Sequence, residues 1–249
     1  MAIGKSLRLR RIFANGRALI TDCDPCPEDL LAKVRLLSRS GVDAVVLTPG
    51  LLELVAEELG VLSVILRIDG GARRPQQLAS VQAALEMGVE AVSVSVALRG
   101  PGAHESLEFF GRTTEDARRL GMPVLAEIAG EDWLEVARLA ADYGADVIRA
   151  PFVPGRSAYR TLVRLTGRPL IAGLDTFSAG VLDLLDAARQ AIEEGAHGVM
   201  LECNAIDQPA CGAICRGLHA LVHQGVSIEE ALIAAEKSEV RTQESEEEP

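Results

Sequence analysis

The sequence predicts a single (β/α)8 barrel, and three observations favour this fold class. A short motif recurs in which a helical stretch ends in Gly, one or two residues follow, and a β-branched run comes next, as in GVDAVVL from Gly41, GVEAVSV from Gly88, GADVIRA from Gly144 and GAHGVML from Gly195. Strands and helices alternate over eight units, which favours a closed barrel over the alternative, an open doubly wound sheet. The length of 249 residues is typical of one such barrel.

Each repeat marks the joint between a helix and the next strand. Gly suits the left-handed cap that ends a helix, and a continuous apolar run suits a parallel strand that is buried on both faces. Two further joints read GMPVLAEI and GRPLIAG, and the runs RALITDC and VLSVILRI complete the set. We expect strands near residues 18–23, 44–48, 62–68, 91–97, 123–128, 146–150, 169–173 and 198–203.

Helices with apolar residues at helical spacing connect these strands, for example PEDLLAKVRLLSRS, PQQLASVQAALEM, LEVARLAADY and VLDLLDAARQAIEE. The barrel is expected to span residues 1–238, with residues 1–16 as an N-terminal extension. The stretch SLRLRRIF in that extension packs either across the bottom of the barrel or against a neighbouring subunit. Residues 239–249 are acidic and lack apolar anchors, so we expect a disordered, solvated tail.

The composition excludes several classes of partner. The formal net charge of -11 and the sequence pI near 4.9 oppose binding to nucleic acid and to anionic membranes, which both attract Lys and Arg. No apolar stretch approaches the roughly 20 residues of a spanning helix, and the N-terminus lacks the apolar region of a signal peptide. We therefore expect a cytoplasmic protein with a small-molecule substrate.

Polar side chains cluster where the predicted strands end, which is the edge that carries the chemistry in (β/α)8 barrels. These residues are Asp22, Asp24, Arg67, Asp69, Glu127, Arg149, Asp175, Glu202 and Asn204. They predict a polar ring at the C-terminal mouth of the barrel.

Five stretches carry a resemblance to a known family, namely GKSLRLRRIFANGRALITDCD, ALEMGVEAVSVSV, RRLGMPVLAEI, YGADVIRAPF and EGAHGVMLECNAI. They resemble the DhnA-type class I aldolases, a family that includes archaeal-type fructose-bisphosphate aldolases and 2-amino-3,7-dideoxy-heptulosonate synthases. The resemblance runs from about residue 4 to residue 232. It implies the barrel fold, lyase activity and assembly into homo-oligomeric rings.

The resemblance also implies a catalytic apparatus that this sequence keeps only in part. In the family a lysine at the end of strand 6 forms a Schiff base with a ketone, and Arg149 stands at that position here. Arginine stays protonated, so it cannot act as the amine nucleophile. Ala129 lies near the position of the family's proton-donating tyrosine, whereas Asp24 matches its catalytic aspartate. The sequence has three lysines, and all of them lie away from the predicted mouth: Lys5, Lys33 and Lys237.

The family's phosphate site is altered too. There the resemblance implies Gly-Gly after strand 7 and Gly-Arg-Asn after strand 8, whereas this sequence has Gly173-Leu174 and Glu202-Cys203-Asn204. The negative charge of Glu202 opposes a phosphate at this place. The expected substrate-binding residues are Arg67, Asp69, Gly173, Asp175, Glu202 and Asn204.

Two of the predicted site residues have alternative interpretations. Asp24 is either an acid/base group or a turn or cap aspartate before the first long helix. Arg149 either binds an anion at the barrel mouth or neutralises Glu127 on the neighbouring strand in a structural pair.

Five cysteines are expected near the junction of strands 8 and 1, namely Cys23, Cys26, Cys203, Cys211 and Cys215. A zinc or iron–sulfur site is geometrically conceivable there, but buried free thiols are the more common outcome. In a reducing compartment structural disulfides are not expected.

Three functions remain open at this point. The first is an aldolase-like lyase or transferase that acts on a small anionic carbonyl compound without a lysine Schiff base, with Asp22, Asp24, Glu127 and Arg149 as catalytic residues. The second is a catalytically inactive homologue that serves as a binding or assembly module. The third is a metal-binding barrel that uses the cysteines.

Overall fold

The computed structural model describes residues 3–24, 28–71, 76–154, 158–174, 180–202 and 210–236. Eight parallel strands form a closed barrel in which each strand pairs with its sequence neighbours and the last pairs with the first. The strands are β1 Ala18–Asp22, β2 Ala44–Leu47, β3 Ser63–Arg67, β4 Ala91–Val96, β5 Val124–Ile128, β6 Val147–Pro151, β7 Leu170–Gly173 and β8 Gly198–Leu201. All eight lie at the predicted places, and the fold class predicted from the repeats is confirmed.

Helices surround the barrel, and the first of them precedes β1. In chain order they are α1 Ile3–Ile12, α2 Leu30–Arg39, α3 Pro49–Val55, α4 Val81–Glu86, α5 Ala103–Leu120, α6 Trp133–Tyr143, α7 Ala158–Thr166, α8 Val181–Glu193, α9 Cys211–His219 and α10 Ile228–Glu236. No helix of the described ranges is both long enough and apolar enough to cross a membrane.

One predicted helix begins later than expected. The run PQQLASVQAALEM predicts a helix from Pro75, but α4 starts only at Val81. The Ser80 side chain accepts a hydrogen bond from the Ala83 backbone N–H, which caps the helix at this point. The preceding residues are extended enough for Gln77 to bridge to Asp69 after β3.

The N-terminal extension packs across the bottom of the barrel. Ile12 at the end of α1 is buried among the apolar side chains of the barrel interior. Near the start of α1, the Lys5 ammonium group donates to Asp146 Oδ2 at 2.6 Å, and both side chains are about nine-tenths buried. The same oxygen accepts the Val124 backbone N–H at 3.0 Å. This ion pair therefore anchors α1 to the N-terminal ends of β5 and β6.

The barrel closes where β8 meets β1 with Ala18 opposite Gly198. A Cβ atom at Gly198 would overlap the backbone of Ala18. The absence of a side chain at this position therefore allows the two strands to approach each other closely.

Side chains that point into the barrel change from apolar to charged along its axis. The lower interior cluster includes Ile20 on β1, Ile65 on β3 and Leu125 on β5. Two residues further along the same three strands, the inward positions carry Asp22, Arg67 and Glu127. Since side chains alternate along a strand, these residues also point inward, as does Arg149 two residues after the interior Val147 on β6. These four residues form a charged layer directly above the apolar one.

Candidate active site

Arg67 is the centre of the charged layer. Its Nη2 donates to Asp22 Oδ2 at 2.7 Å and to Glu127 Oε2 at 2.8 Å, and its Nη1 donates to Asp24 Oδ2 at 2.8 Å. Although burial opposes its charge, Glu127 and Asp22 hold the pKa of Arg67 above its usual value. One guanidinium group thus fixes three carboxyl groups that come from β1, the segment after it, and β5.

The carboxyl groups of Asp22 and Glu127 have pKa values that are shifted in opposite directions. Burial, and then the charge of Glu127, raise the pKa of Asp22 to about 7, against the lowering effect of Arg67. Burial also opposes ionisation of Glu127, but Arg67 and Arg149 outweigh it and keep the pKa of Glu127 below its usual value. At neutral pH the site therefore contains a carboxyl group that can give up a proton beside one that is fully ionised.

Asp24 lies at the outer rim of this layer. Its side chain is 35% exposed, compared with 6% for Asp22 and 11% for Glu127. Its backbone N–H donates to Asp22 Oδ1 at 3.0 Å, so the two aspartates are connected directly. The residue directly before α2 is Asp29, and the contact that the structure gives the Asp24 carboxylate is with Arg67.

Arg149 forms a second ion pair on the opposite side of the barrel. Its Nη2 donates to Glu202 Oε1 at 2.7 Å. It is also opposite Glu127 in the register of β5 and β6, close enough for its charge to lower the pKa of Glu127. Arg149 is therefore not restricted to a structural pair with Glu127. From β3 round to β8, the charges alternate in the order Arg67, Glu127, Arg149 and Glu202.

Asp69 lies just past the end of β3 and is fully buried. One of its oxygens accepts the Ser95 backbone N–H at 3.0 Å, and burial raises the pKa of Asp69 to about 6. Because no part of Asp69 is exposed, direct contact with a substrate would require a local opening. Its place in this structure is that of a support for the loop after β3.

The remaining predicted site residues fall into two groups. Gly173 ends β7 and Ala129 follows β5, so both lie at the mouth. Asp175 and Asn204 lie outside the described residues, as do two of the five cysteines, Cys26 and Cys203.

Three cysteines are buried together between β1 and α9. Cys23 follows β1, Cys211 and Cys215 lie on α9, and all three are buried thiols. A hydrogen bond with Cys211, together with burial, raises the pKa of Cys215 well above its usual value, so this thiol stays protonated. Among the described residues, no group of three or more His, Cys, Asp or Glu side chains is arranged to hold a metal ion. The metal hypothesis gains no support from these three cysteines.

The sequence named every member of the charged layer but missed the role of Arg67 as its hub. We expected Arg67 to bind substrate, whereas its guanidinium group is occupied by three protein carboxylates. The spacing of two between Ile65 and Arg67, on a strand whose odd-numbered positions point inward, is the signal that places Arg67 in the interior.

Comparisons with known proteins agree with this fold. The sequence profile of the DeoC/LacD family aldolases matches residues 9–208. A 2-amino-3,7-dideoxy-D-threo-hept-6-ulosonate synthase of Halobacterium salinarum is 29% identical and aligns over 93% of this chain and 96% of its own length. A second such synthase, from Archaeoglobus fulgidus, is 26% identical over 92% of this chain and 95% of its own.

Solved structures of aldolases share the barrel. An archaeal fructose 1,6-bisphosphate aldolase superposes with a TM-score of 0.77 and 22% identity, covering 89% of this chain and 100% of that one. The fructose-bisphosphate aldolase of Slackia heliotrinireducens gives a TM-score of 0.82 at 15% identity, covering 94% of this chain and 90% of that one. At these identities the structural likeness shows the fold alone.

Proposed function

The chain belongs to the DeoC/LacD aldolase family, and from this premise we propose that it makes or breaks a carbon–carbon bond beside the carbonyl group of a small anionic compound, without a lysine Schiff base. Two of the three lysines of the chain lie within the residues that the structure describes. Lys5 is paired with Asp146 at the bottom of the barrel, and Lys33 is on the outer helix α2. Neither is at the mouth where the charged layer lies, which supports a mechanism carried by carboxyl groups.

The observation that carries the proposal is the pair of connected aspartates with different surroundings. With a pKa of about 7, Asp22 keeps a sizeable protonated fraction at neutral pH and suits a general acid. Asp24 is the most exposed of the three carboxyl groups on Arg67, which makes it the one that a substrate reaches most easily. Arg67 holds both groups in place and so acts as a positioning residue.

Proton transfer between these groups and two carbonyl compounds balances without a cofactor. Asp24 takes a proton from the carbon next to a ketone, while Asp22 gives its proton to the ketone oxygen, and an enol forms. The enol carbon attacks an aldehyde, the enol O–H returns its proton to Asp22, and the aldehyde oxygen takes the proton held by Asp24. The result is one new carbon–carbon bond with both aspartates restored, and cleavage follows the reverse path.

The test is an aldol cleavage assay in which aldehyde release is followed by NMR. The candidate substrates are fructose 1,6-bisphosphate and 4-hydroxy-2-oxo acids. We expect cleavage of at least one compound, with a kcat that falls as pH rises above about 7 because Asp22 loses its proton. Asp22→Asn should abolish cleavage, and Asp142→Asn on the exposed face of α6 should leave it unchanged. Cleavage by the Asp22→Asn variant at the wild-type rate would exclude the proposed acid.

A binding or assembly module without catalysis is the second candidate. The observation that favours it is that protein carboxylates bind both arginines of the charged layer, as in a purely structural network. Members of the resembled family assemble into rings, so a homo-oligomer would be retained under either candidate. Ligand binding or assembly without turnover of any compound would favour this second function.

A further inference from the structure

We propose that Arg149 binds the carboxylate of the substrate and that Glu202 occupies this place until the substrate arrives, which makes small 2-oxo acids the substrate class. The inference rests on the proposed function, because it assigns a ligand to the same barrel mouth. It goes beyond that function by naming the anionic group, the residue that binds it and the residue that competes with it.

The ion pair between Arg149 and Glu202 joins two side chains of very different exposure. The Arg149 side chain is 8% exposed, whereas that of Glu202 is 38% exposed. Arg149 is on β6, inside the barrel, and Glu202 follows β8 at the rim. Glu202 can therefore turn towards solvent while Arg149 stays in place, so the exchangeable partner is the carboxylate.

The Glu202 carboxylate shows what kind of group fits against Arg149. Its Oε1 accepts from Arg149 Nη2 at 2.7 Å, a normal distance for a charge-assisted hydrogen bond. A carboxylate of a substrate has the same charge and the same planar shape. It can take over this contact with no change in the net charge beside Arg149.

A phosphate group fits the same place poorly. The two arginines of the charged layer already face four carboxyl groups, which are Asp22, Asp24, Glu127 and Glu202. A dianion would bring a second negative charge next to Glu127, which is about nine-tenths buried and ionised. Since like charges at short distance repel strongly where water is excluded, the layer favours a monoanion.

The position of Arg149 also explains why the carbonyl group should be next to the carboxylate. Glu127 is opposite Arg149 in the register of β5 and β6, and Glu127 shares Arg67 with Asp22. A 2-oxo acid that binds Arg149 through its carboxylate directs the adjacent carbonyl group towards this interior. There the oxygen approaches the proton of Asp22, and the third carbon approaches the aspartate pair on Arg67.

The test is isothermal titration calorimetry with three probes of similar size: pyruvate, acetone and inorganic phosphate. The wild-type chain should bind pyruvate in preference to both other probes. Glu202→Gln should bind pyruvate about tenfold more tightly because the competing charge is gone, and Arg149→Gln should weaken binding more than tenfold. Glu193→Gln, which removes the same charge from an exposed ion pair on α8, is the matched control and should bind pyruvate like the wild type.

A second substitution guards against a folding defect. Glu202→Asp keeps the charge but shortens the reach to Arg149, so its affinity for pyruvate should lie between those of the wild type and Glu202→Gln. Equal or weaker binding of pyruvate by both Glu202 variants, equal binding of acetone and pyruvate, or tighter binding of phosphate would each overturn the inference. Cleavage activity is measured in a separate assay. If the protein shows turnover but the Glu202 and Arg149 variants bind pyruvate with unaltered affinity, only this inference fails. If Glu202→Gln binds pyruvate more tightly but the protein shows no turnover, only the proposed function fails.

Discussion

Arg67 shows how a single buried side chain organises the charged layer. Its guanidinium group is almost fully buried and binds Asp22, Asp24 and Glu127 at once. Burying charges costs free energy unless each is paired, and the planar fork of arginine holds several carboxylates in fixed directions. The stability of the barrel mouth therefore depends on this residue.

Replacement of Arg67 by Met should reveal that dependence. Three carboxyl groups would lose their cation, the pKa of Glu127 would rise, and the free energy of unfolding should drop by about 3–5 kcal/mol at pH 7. Urea denaturation gives the value. The loss should shrink as pH falls towards 4, because protonated carboxyl groups no longer need a cation. A loss of the same size at pH 4 and pH 7 would mean that packing, not charge, dominates at Arg67.

Asp22 should give the protein a characteristic dependence of stability on pH. Because burial raises its pKa in the folded state from 3.8 to about 7, the folded state binds more protons than the unfolded state between these values. This carboxyl group therefore lowers stability progressively as pH rises from about 4 to 7. Asp22→Asn removes the effect, so from pH 5 to pH 8 the variant should gain about 1–3 kcal/mol relative to the wild type. Urea denaturation at both values measures the difference, and a constant difference would show that the pKa of Asp22 is not raised.

At the level of elements, α1 closes the bottom of the barrel through one buried ion pair. Asp146→Ala would leave the Lys5 ammonium group buried without its carboxylate and would also remove the acceptor of the Val124 N–H. We expect a loss of about 3–5 kcal/mol in the free energy of unfolding, measured by urea denaturation. Arg35→Gln breaks an exposed ion pair between α2 and Glu58 and should leave stability unchanged. An Asp146→Ala variant as stable as Arg35→Gln would show that α1 docks through its apolar side chains alone.

The junction of β1 and β8 sets a strict limit on side-chain size. In Gly198→Ala the new Cβ atom meets the backbone of Ala18, which cannot move without disturbing the strand pairing. We expect the variant to lose more than about 3 kcal/mol of stability or to fail to fold. Gly50→Ala places the same methyl group near the start of α3 with open space around it and should be neutral or slightly stabilising. Comparison of the two thermal midpoints tests the closure, and equal midpoints would contradict the close approach.

The sequence predicted strands better than helix starts, and there is a physical reason. Six of the eight strands follow a helix-ending Gly, such as Gly144 with φ 110°, and all eight are buried apolar runs, so the signals that predict strands are local. The start of α4 depends instead on Ser80 as a cap, and the apolar spacing before it is compatible with either a helix or a loop.

At the scale of the whole molecule, the members of the charged layer could be predicted from strand ends, but their pairing could not. Barrel closure brings Asp22 on β1, Arg67 on β3 and Glu127 on β5 together. In the sequence Arg67 is 45 residues from Asp22 and 60 residues from Glu127. Which carboxylates an arginine reaches is determined by strand register and by the depth of each inward position. Neither the strand register nor the depth of an inward position can be read directly from the sequence. The contacts of Arg67 with three carboxyl groups are therefore visible only in the three-dimensional structure.

The central claim is that this barrel activates a carbonyl compound with carboxyl groups and without a lysine adduct. The most direct measurement is proton NMR of hydrogen–deuterium exchange at the carbon next to the carbonyl group of pyruvate, dihydroxyacetone and acetone. Each ketone is tested with untreated protein and with protein that was treated with sodium borohydride in the presence of that ketone and then freed of the reagent. We expect protein-dependent exchange in at least one ketone that borohydride treatment of the protein does not abolish, that leaves the protein mass unchanged, and that Asp22→Asn eliminates. A reduced adduct on a lysine, or exchange in none of the three compounds, would contradict the account.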